Sequence, residues 1–197
     1  MAFDTYMQFQ DATENWLKGE SQVQITGTES SLGADLKTGH VFEIDDFSFD
    51  IEQAINIGSQ SSGIGAGKVT FNPFSITRKT DRISPLLFHN CCAGMHFQEV
   101  SLYLRKAGAA TTSGTAMSGT TFMRFDFKLV GVKTINWSGS DGDESCKEEV
   151  TFEYGALQIR YLQQDTKGQF INKDDAKPHA AWNRIYNNDK FDSVAAT

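Results

Sequence analysis

Residues 74–103 read FSITRKTDRISPLLFHNCCAGMHFQEVSLY, and this order of residue types predicts a strand, a short helix and a second strand. Ser84 and Pro85 predict the helix start, because serine is a favoured N-cap and proline is favoured in the first turn. Gly94 predicts the helix end, because a helix exit needs a residue in the left-handed conformation. A helix this short is marginal in water, so we expect packing against sheets to hold it.

Apolar and polar residues alternate in the strand that follows the helix. Val100, Leu102 and Leu104 have the same parity, which predicts a strand with one buried face. The residues between them are more polar, and we assign them to the other face: Glu99, Ser101 and Tyr103.

Similar alternation recurs along most of the chain. Residues 3–9 predict a first strand, residues 23–26 a short one, and residues 122–137 a long strand or a bent pair. The apolar parity switches at Asp45 and Asp46, and again at Gly155, which predicts a bend or β-bulge at each position. Pro73 predicts an edge strand or another bulge.

The chain contains 197 residues, including 15 phenylalanines. Frequent aromatic residues in alternating runs favour strands, so we predict roughly eight to ten strands with one short helix. The fold class is therefore mainly β, an antiparallel barrel or sandwich. The tail after residue 164 is polar and lacks strand periodicity, so we divide the chain into a domain at 1–164 and an extension at 165–197 that is too short to fold alone.

The net charge of the chain argues against nucleic acid as a partner. The formal net charge is −7, so we expect no general binding to nucleic acid, which requires a basic surface.

No apolar run approaches the length of a membrane span, and the N-terminus lacks the features of a secretory signal. Three cysteines without a pairing pattern indicate a reducing compartment.

No motif makes a strong case for catalysis. Cys91 and Cys92 lie near His89 and His96 in sequence, and a thiolate beside an imidazole would be a nucleophile. Buried structural cysteines are more common than catalytic ones, however, and adjacent thiols are poorly spaced for a metal. We therefore expect no catalytic residues, no cofactor and no metal.

Two further loops have a simple structural interpretation. The glycines at 63–67 before Lys68 lack the spacing of a phosphate-binding loop, and Val69 replaces the Ser or Thr that would hold magnesium. The acidic segment 138–145, which contains Asp141, Asp143 and Glu144, lacks calcium-loop spacing and predicts a solvated hairpin turn.

An ordered set of motifs runs through the chain. The segments are 39–44 (GHVFEI), 47–49 (FSF), 67–69 (GKV), 74–81 (FSITRKTD), 84–87 (SPLL), 91–97 (CCAGMHF), 99–100 (EV) and 149–155 (EVTFEYG), followed by Ile159 and Tyr161. This set resembles the haemolysin-coregulated protein (Hcp) family of bacterial type VI secretion, and order and spacing agree over about residues 2–164. The sequence departs from the family pattern in two places, a longer region at 22–38 and the tail after 164.

The resemblance implies an Hcp-like antiparallel β-barrel of two sheets with one short α-helix. It also implies a structural role rather than an enzymatic one: homohexameric rings stack into a hollow tube that is secreted through the machine without a signal peptide. Sheath, spike and baseplate proteins would be its partners, and effector proteins would be carried in the lumen. Before assembly the protein would be located in the bacterial cytoplasm, without insertion into a membrane.

Two alternatives to this function remain open. A tail-tube protein of a phage or a related contractile injection system would share the barrel. A hydrolase that depends on cysteine and histidine would use the thiols and imidazoles named above.

For subunit interfaces we predict a loop at 55–68 and a charged bridge at 78–81. Exposed sheet edges and loops can join copies head to tail, and opposite charges can meet across subunits. The predicted interface residues are Ile55, Ile57, Ile64, Lys68, Arg78, Lys79 and Asp81.

Overall fold

The chain folds as an antiparallel β-protein with a single short α-helix in its described part. The computed structural model describes residues 3–23, 32, 35–56, 65–106, 119–163, 165, 171 and 178–193. The strands are β1 (Asp4–Gln10), β2 (Phe42–Glu43), β3 (Asp46–Ser48), β4 (Ile51–Asn56), β5 (Gly65–Phe71), β6 (Phe74–Lys79), β7 (His96–Lys106), β8 (Thr120–Ser138), β9 (Lys147–Tyr161) and β10 (His179–Asn183). Helix α1 spans Ser84–Ala93, and a 3₁₀ helix spans Phe191–Ser193.

The described residues form two sheets, as predicted. The larger one has the order β2-β1-β7-β8-β9-β6-β3, with β10 paired to β9, and the smaller one consists of β4 and β5. All of the pairings are antiparallel. The mainly β fold class that the sequence predicts is confirmed.

The segment from β2 to β3 joins the two outer strands of the larger sheet. The Ile44 N–H donates to the Thr5 carbonyl in β1 at 3.1 Å, and the next residue, Asp45, donates its N–H to the Thr77 carbonyl in β6 at 2.9 Å. Consecutive residues therefore contact opposite ends of the sheet, which curls the sheet into a half-barrel. This is the bend that the parity switch at Asp45 and Asp46 predicts.

Phenylalanine rings fill the inside of the curled sheet. The Phe74 ring stacks on Phe127 with centroids 4.6 Å apart and on Phe152 at 5.8 Å. Phe9 lies 5.2 Å from Phe97. Ring pairs of this kind stabilise a core beyond the area that they bury, which explains the high phenylalanine content.

Helix α1 packs on this core, but it begins differently from the prediction. Ser84 is already helical and does not cap the helix, because its hydroxyl donates to Glu148 Oε1 at 3.2 Å. The N-cap residue is Ile83, whose side chain caps nothing, and its N–H donates to Asp81 Oδ1 at 2.9 Å. Gly94 ends the helix with φ of 66°, as predicted. The fully buried Leu87 joins the helix to the core.

Strand β7 is buried on both faces, so the polar face is not solvent-exposed. Ser101 and Tyr103 are 0% exposed. Tyr103 packs with Leu36 and Val41 from the segment before β2, and its hydroxyl donates to Gln8 Oε1 at 2.9 Å. Residues 35–41 thus form a cover over the outer face of the sheet.

Strands β8 and β9 switch faces together. Phe127 and Leu157 face the core on one side of the switch, and Val130 and Tyr154 face it on the other, with the register unchanged. Leu129 has φ of 51°, which is unusual for a leucine and lets β8 change its pleat there. The switch predicted near Gly155 is confirmed, although the register itself shifts elsewhere, between Val132 and Thr134.

The remaining predicted segments are in part confirmed, in part outside the described residues and in one case wrong. The long strand at 122–137 and the turn at 138–145 are confirmed by β8 and its connection to β9. Most of the predicted strand at 23–26 lies outside the described residues, as do residues 57–64 of the predicted loop at 55–68, whose two ends belong to β4 and β5. The tail was predicted to lack strands, and that is wrong for β10, which pairs with β9 from Ala156 to Arg160.

Candidate assembly surface

Four of the strands form one long, bent hairpin. β3 pairs with β6, and β4 pairs with β5, so that the second pair continues the first. The bend lies at Asp50 and Asn72, where the Asn72 side-chain amide donates to Asp50 Oδ2 at 2.6 Å and its N–H donates to the Asp50 carbonyl at 3.1 Å. Pro73, which predicts an edge strand or a bulge, lies between β5 and β6. The β4–β5 hairpin therefore leaves the larger sheet as a separate arm.

The β4–β5 hairpin carries exposed apolar side chains. Ile51 is 43% exposed and Ile55 is 57% exposed. Exposed isoleucines on a small sheet favour contact with another surface. Ile57 and Ile64 lie outside the described residues, and Lys68 lies in β5 with its side chain outside them. Their interface role stays a prediction.

The charged bridge at 78–81 is largely internal to the chain. Arg78 is 0% exposed and forms ion pairs with Asp81 and with Glu148 Oε1, the latter at 3.3 Å. Its guanidinium also lies over the Phe42 ring at 5.7 Å. The charge of Arg78 is therefore already balanced within the subunit.

Lys79 and Asp81 differ from Arg78 in exposure. Lys79 is exposed at the end of β6, and the Asp81 side chain is 17% exposed. This end of the long hairpin is opposite to the end that carries Ile55. The structure does not bring the two predicted interface regions together in one chain, and their contact across subunits stays a prediction.

A groove of about 1290 Å³ lies between the β4–β5 hairpin, the larger sheet and the C-terminal segment. Two polar atoms at the groove, Tyr154 Oη and His96 Nε2, are buried and have no hydrogen-bond partner among the described residues. The groove is lined by Gln53, Val69, Thr70, Phe71, His96, Leu129, Gly131, Glu153, Tyr154, Gly155, Trp182, Arg184, Ile185 and Asn187.

Tyr154 should make the fold sensitive to alkaline pH. Burial raises its pKa to about 12, whereas a tyrosine in an unfolded chain loses its proton near pH 10 or so. Above that pH the unfolded state binds fewer protons at this residue than the folded state, so the free energy of unfolding falls as pH rises between the two pKa values. We expect this loss in denaturant titrations across the alkaline range.

Tyr154→Phe is the matched control for this effect. Because the hydroxyl has no partner among the described residues, the variant should keep its stability at neutral pH to within about 1 kcal/mol. It should also lose less stability than the wild type in alkali. Identical pH profiles for the two proteins would contradict the assignment.

A buried charged cluster, absent from the sequence prediction, lies on the outer face of the sheet. Asp126 is 0% exposed and accepts from Arg124 Nε at 2.5 Å and Arg160 Nη2 at 2.5 Å. Arg124 also pairs with Asp35, with Nη2 and Oδ2 2.7 Å apart. Burial raises the pKa of Glu99 beside them, and the charge of Asp126 adds to it. The one feature of the sequence that could have indicated this cluster is the alternation of Arg124 and Asp126 with Phe125 and Phe127.

The thiols and imidazoles do not form a catalytic pair in the described residues. Cys92 and His89 are exposed on α1. The Cys91 thiol faces the Lys133 carbonyl at 3.9 Å. His96 lies on β7, and across the described ranges no hydrogen bond joins either thiol to an imidazole. The geometry therefore offers no activated nucleophile at these residues.

The acidic turn before β9 is an ordinary solvated turn. Asp143 Oδ2 accepts the Ser140 N–H at 2.7 Å, and Gly142 has φ of 98°. Asp141 and Glu144 are exposed. In the part of the chain that the structure describes, no group of three or more His, Cys, Asp or Glu side chains could hold a metal ion. No described helix is long and apolar enough to cross a membrane.

Solved structures of type VI secretion proteins share this fold. One described as a type six secretion system protein has a TM-score of 0.72 at 22% identity, covering 96% of this chain and 100% of that one. Hcp1 from E. coli has a TM-score of 0.65 at 17% identity, covering 93% and 99%. Hcp1 from Salmonella typhimurium has a TM-score of 0.60 at 20% identity, covering 96% and 100%. The chain therefore has the same barrel fold as these three proteins.

The sequence comparison identifies the family. The family model described as "Type VI secretion system effector, Hcp" matches residues 6–161, which is more than half of the chain. The chain belongs to the Hcp family. Protein hcp1 of Pseudomonas aeruginosa is 29% identical over 116 residues, and that match spans 59% of this chain and 65% of the relative.

Proposed function

We propose that this protein is the structural subunit of a type VI secretion tube, in which hexameric rings stack into a hollow, secreted tube. The family match over residues 6–161 carries the proposal, and the barrel that spans the described chain supports it. The role is structural rather than enzymatic, in keeping with the unpaired thiols and imidazoles described above. The subunit needs no cofactor for it.

The exposed features of the chain suit head-to-tail assembly. Apolar side chains at Ile51 and Ile55 lie on one arm of the long hairpin, and the exposed charge of Lys79 lies at its other end. A head-to-tail contact joins two different surfaces and closes into a ring when the rotation between copies is suitable. We assign the β4–β5 hairpin to such a contact.

The partners follow from this role. Further copies of the chain form the rings, and sheath, spike and baseplate proteins of the machine surround and cap the tube. Effector proteins occupy the lumen. The protein stands in the bacterial cytoplasm before assembly and leaves through the machine itself. Its net charge of −7 argues against nucleic acid as a partner.

Negative-stain microscopy with light scattering tests the proposal on the purified protein. We expect six-fold rings with a mass about six times that of the chain. A compact monomer at every concentration tested would contradict the proposal and leave only the family fold.

Replacing Ile55 with aspartate should block ring formation without unfolding the subunit. Ile55 is 57% exposed, so the charge costs little in the isolated chain but would be buried without a partner in an interface. We expect scattering to report a monomer and thermal unfolding to match the wild type. Phe88→Asp is the control, because Phe88 is similarly exposed, at 52%, but lies on α1. Normal rings from Ile55→Asp would remove the hairpin from the interface.

A further inference from the structure

Strand β9 is bordered by two different strands along one edge. Its first part pairs with β6, with Phe152 opposite Phe74, and its second part pairs with β10, with Ala156 opposite Asn183. β5 precedes β6 along the same long hairpin. If that hairpin were straight, Phe71 and the residues before it would run beside β9 at the positions that β10 occupies. The C-terminal strand therefore takes the edge that β5 leaves.

Arg184 lies at the fork between β5 and β9. Its guanidinium lies 5.4 Å from the Phe71 ring of β5 and 5.0 Å from the Tyr154 ring of β9. It donates to the Tyr154 carbonyl at 2.7 Å and to Glu153 Oε2 at 3.4 Å. A planar guanidinium can stack on aromatic faces while it donates in its own plane, which an ammonium group cannot do. One side chain thus links the hairpin, the sheet and the C-terminal segment.

The backbone around Arg184 is held at several points. Its N–H donates to the Gly155 carbonyl at 2.9 Å. Asn183 Oδ1 accepts the Ile185 N–H at 2.9 Å and the Tyr186 N–H at 3.1 Å, which fixes the turn after β10. A Cβ on Gly155 would lie 2.9 Å from Ile185 Cδ1, so the glycine lets the turn approach the sheet closely. The position of Arg184 is therefore set by the fold around it.

We propose that residues 178–193 form a wedge that sets the angle of the β4–β5 hairpin, so that ring assembly depends on the C-terminal segment. The wedge occupies the edge of β9 and Arg184 fixes the fork, which holds the hairpin away from the larger sheet. The dependence of assembly rests on the proposed function, because it takes the hairpin as the contact between copies.

Distance measurements between two spin labels test the position of the hairpin directly. One label is attached at Glu52→Cys on β4 and the other at Asn136→Cys on β8, both exposed positions. The three native cysteines are replaced in this background. Arg184→Ala should broaden or shift the distance distribution, because the hairpin loses its contact at the fork. Arg184→Lys should recover it only in part, since lysine keeps the charge without the planar stacking.

Lys128→Ala is the matched control. Lys128 contacts the same C-terminal segment, with its Nζ 2.8 Å from Asp192 Oδ1 and 4.8 Å from the Phe191 ring centroid, but these contacts do not involve the hairpin. It should leave the label distances as in the wild type. An unchanged distribution in Arg184→Ala would overturn the wedge, and an equal change in Lys128→Ala would overturn the role of Arg184 in it.

Light scattering of unlabelled Arg184→Ala tests the consequence for assembly. The concentration at which half of the chains are in rings should rise by about tenfold. A change in label distance with unaltered ring formation would overturn the link to assembly. Absence of rings in the wild type would instead contradict the proposed function, and the label distances would still decide whether the wedge exists.

Discussion

Replacing Asp126 with alanine is expected to lower the free energy of unfolding by about 3–5 kcal/mol, the typical cost of removing one partner of a buried ion pair. Asp126 is 0% exposed and accepts from Arg124, Arg160 and Ser101 at 2.5, 2.5 and 2.7 Å. Alanine would leave two guanidinium groups close together, with Arg124 itself only 3% exposed. Their mutual repulsion and lost solvation both disfavour the folded state.

Chemical denaturation of the wild type and the variant measures this loss. Lys133→Ala is the control, because it removes an ion pair to Glu153 at 3.0 Å in which both side chains are well exposed, at 49% and 43%. An exposed pair of this kind contributes about 0–1 kcal/mol. If Asp126→Ala were no more destabilising than Lys133→Ala, the charged cluster would not stabilise the fold.

The same cluster explains why the outer face of β7 is buried. Arg124 holds Asp35 by its side chain and donates to the Leu32 carbonyl at 3.2 Å. These contacts hold the cover formed by residues 35–41 against the sheet, with Leu36 and Val41 on Tyr103. Loss of Asp126 should therefore also loosen the cover, which amide hydrogen exchange at Leu36 would detect.

The sequence could predict one face of β7 but not the burial of the other. Period-two alternation identifies the apolar face correctly, because Val100 and Leu102 lie in the phenylalanine core. The polar face carries Ser101 beside Arg124 and Asp126 of the next strand, and charged residues usually indicate exposure. Here opposite charges pair across strands and with a distant segment. Such pairing depends on the three-dimensional register, which alternation alone does not contain.

Pairing that depends on the folded structure also limits how much of the candidate assembly surface the sequence can predict. The exposure of Ile55 follows from its place in a short hairpin, which the sequence predicts as a loop between strands. The pairing of β10 with β9 could not be predicted from the sequence. Its five residues, His179–Asn183, have no clear periodicity, and their pairing depends on a vacant edge of β9. Gly155 was predicted from the parity switch, yet its contact with Ile185 could be seen only in the folded chain.

Replacing Arg78 with alanine is expected to destabilise the isolated subunit by about 3–5 kcal/mol. Glu148, 0% exposed, would lose the guanidinium 3.3 Å away and keep two neutral donors among the described residues, the Ser84 hydroxyl at 3.2 Å and the Trp137 indole N–H at 2.8 Å. A buried carboxylate with only neutral donors is poorly stabilised. Thermal unfolding at low protein concentration, where rings do not contribute, measures the effect.

Lys79 separates a role in assembly from a role in folding. Lys79→Glu changes an exposed charge one residue away, so its stability as a monomer should stay within about 0.5 kcal/mol of the wild type. If the charged end of the long hairpin contacts another copy, this variant should weaken ring formation while Arg78→Ala mainly weakens the fold. An Arg78→Ala subunit as stable as the wild type but unable to form rings would place Arg78 in the interface instead. The sequence predicts both residues for one interface, but their burial differs. The Arg78 guanidinium is enclosed by its own subunit and stabilises that subunit. The Lys79 ammonium is exposed, so we expect it to contact a second copy of the chain.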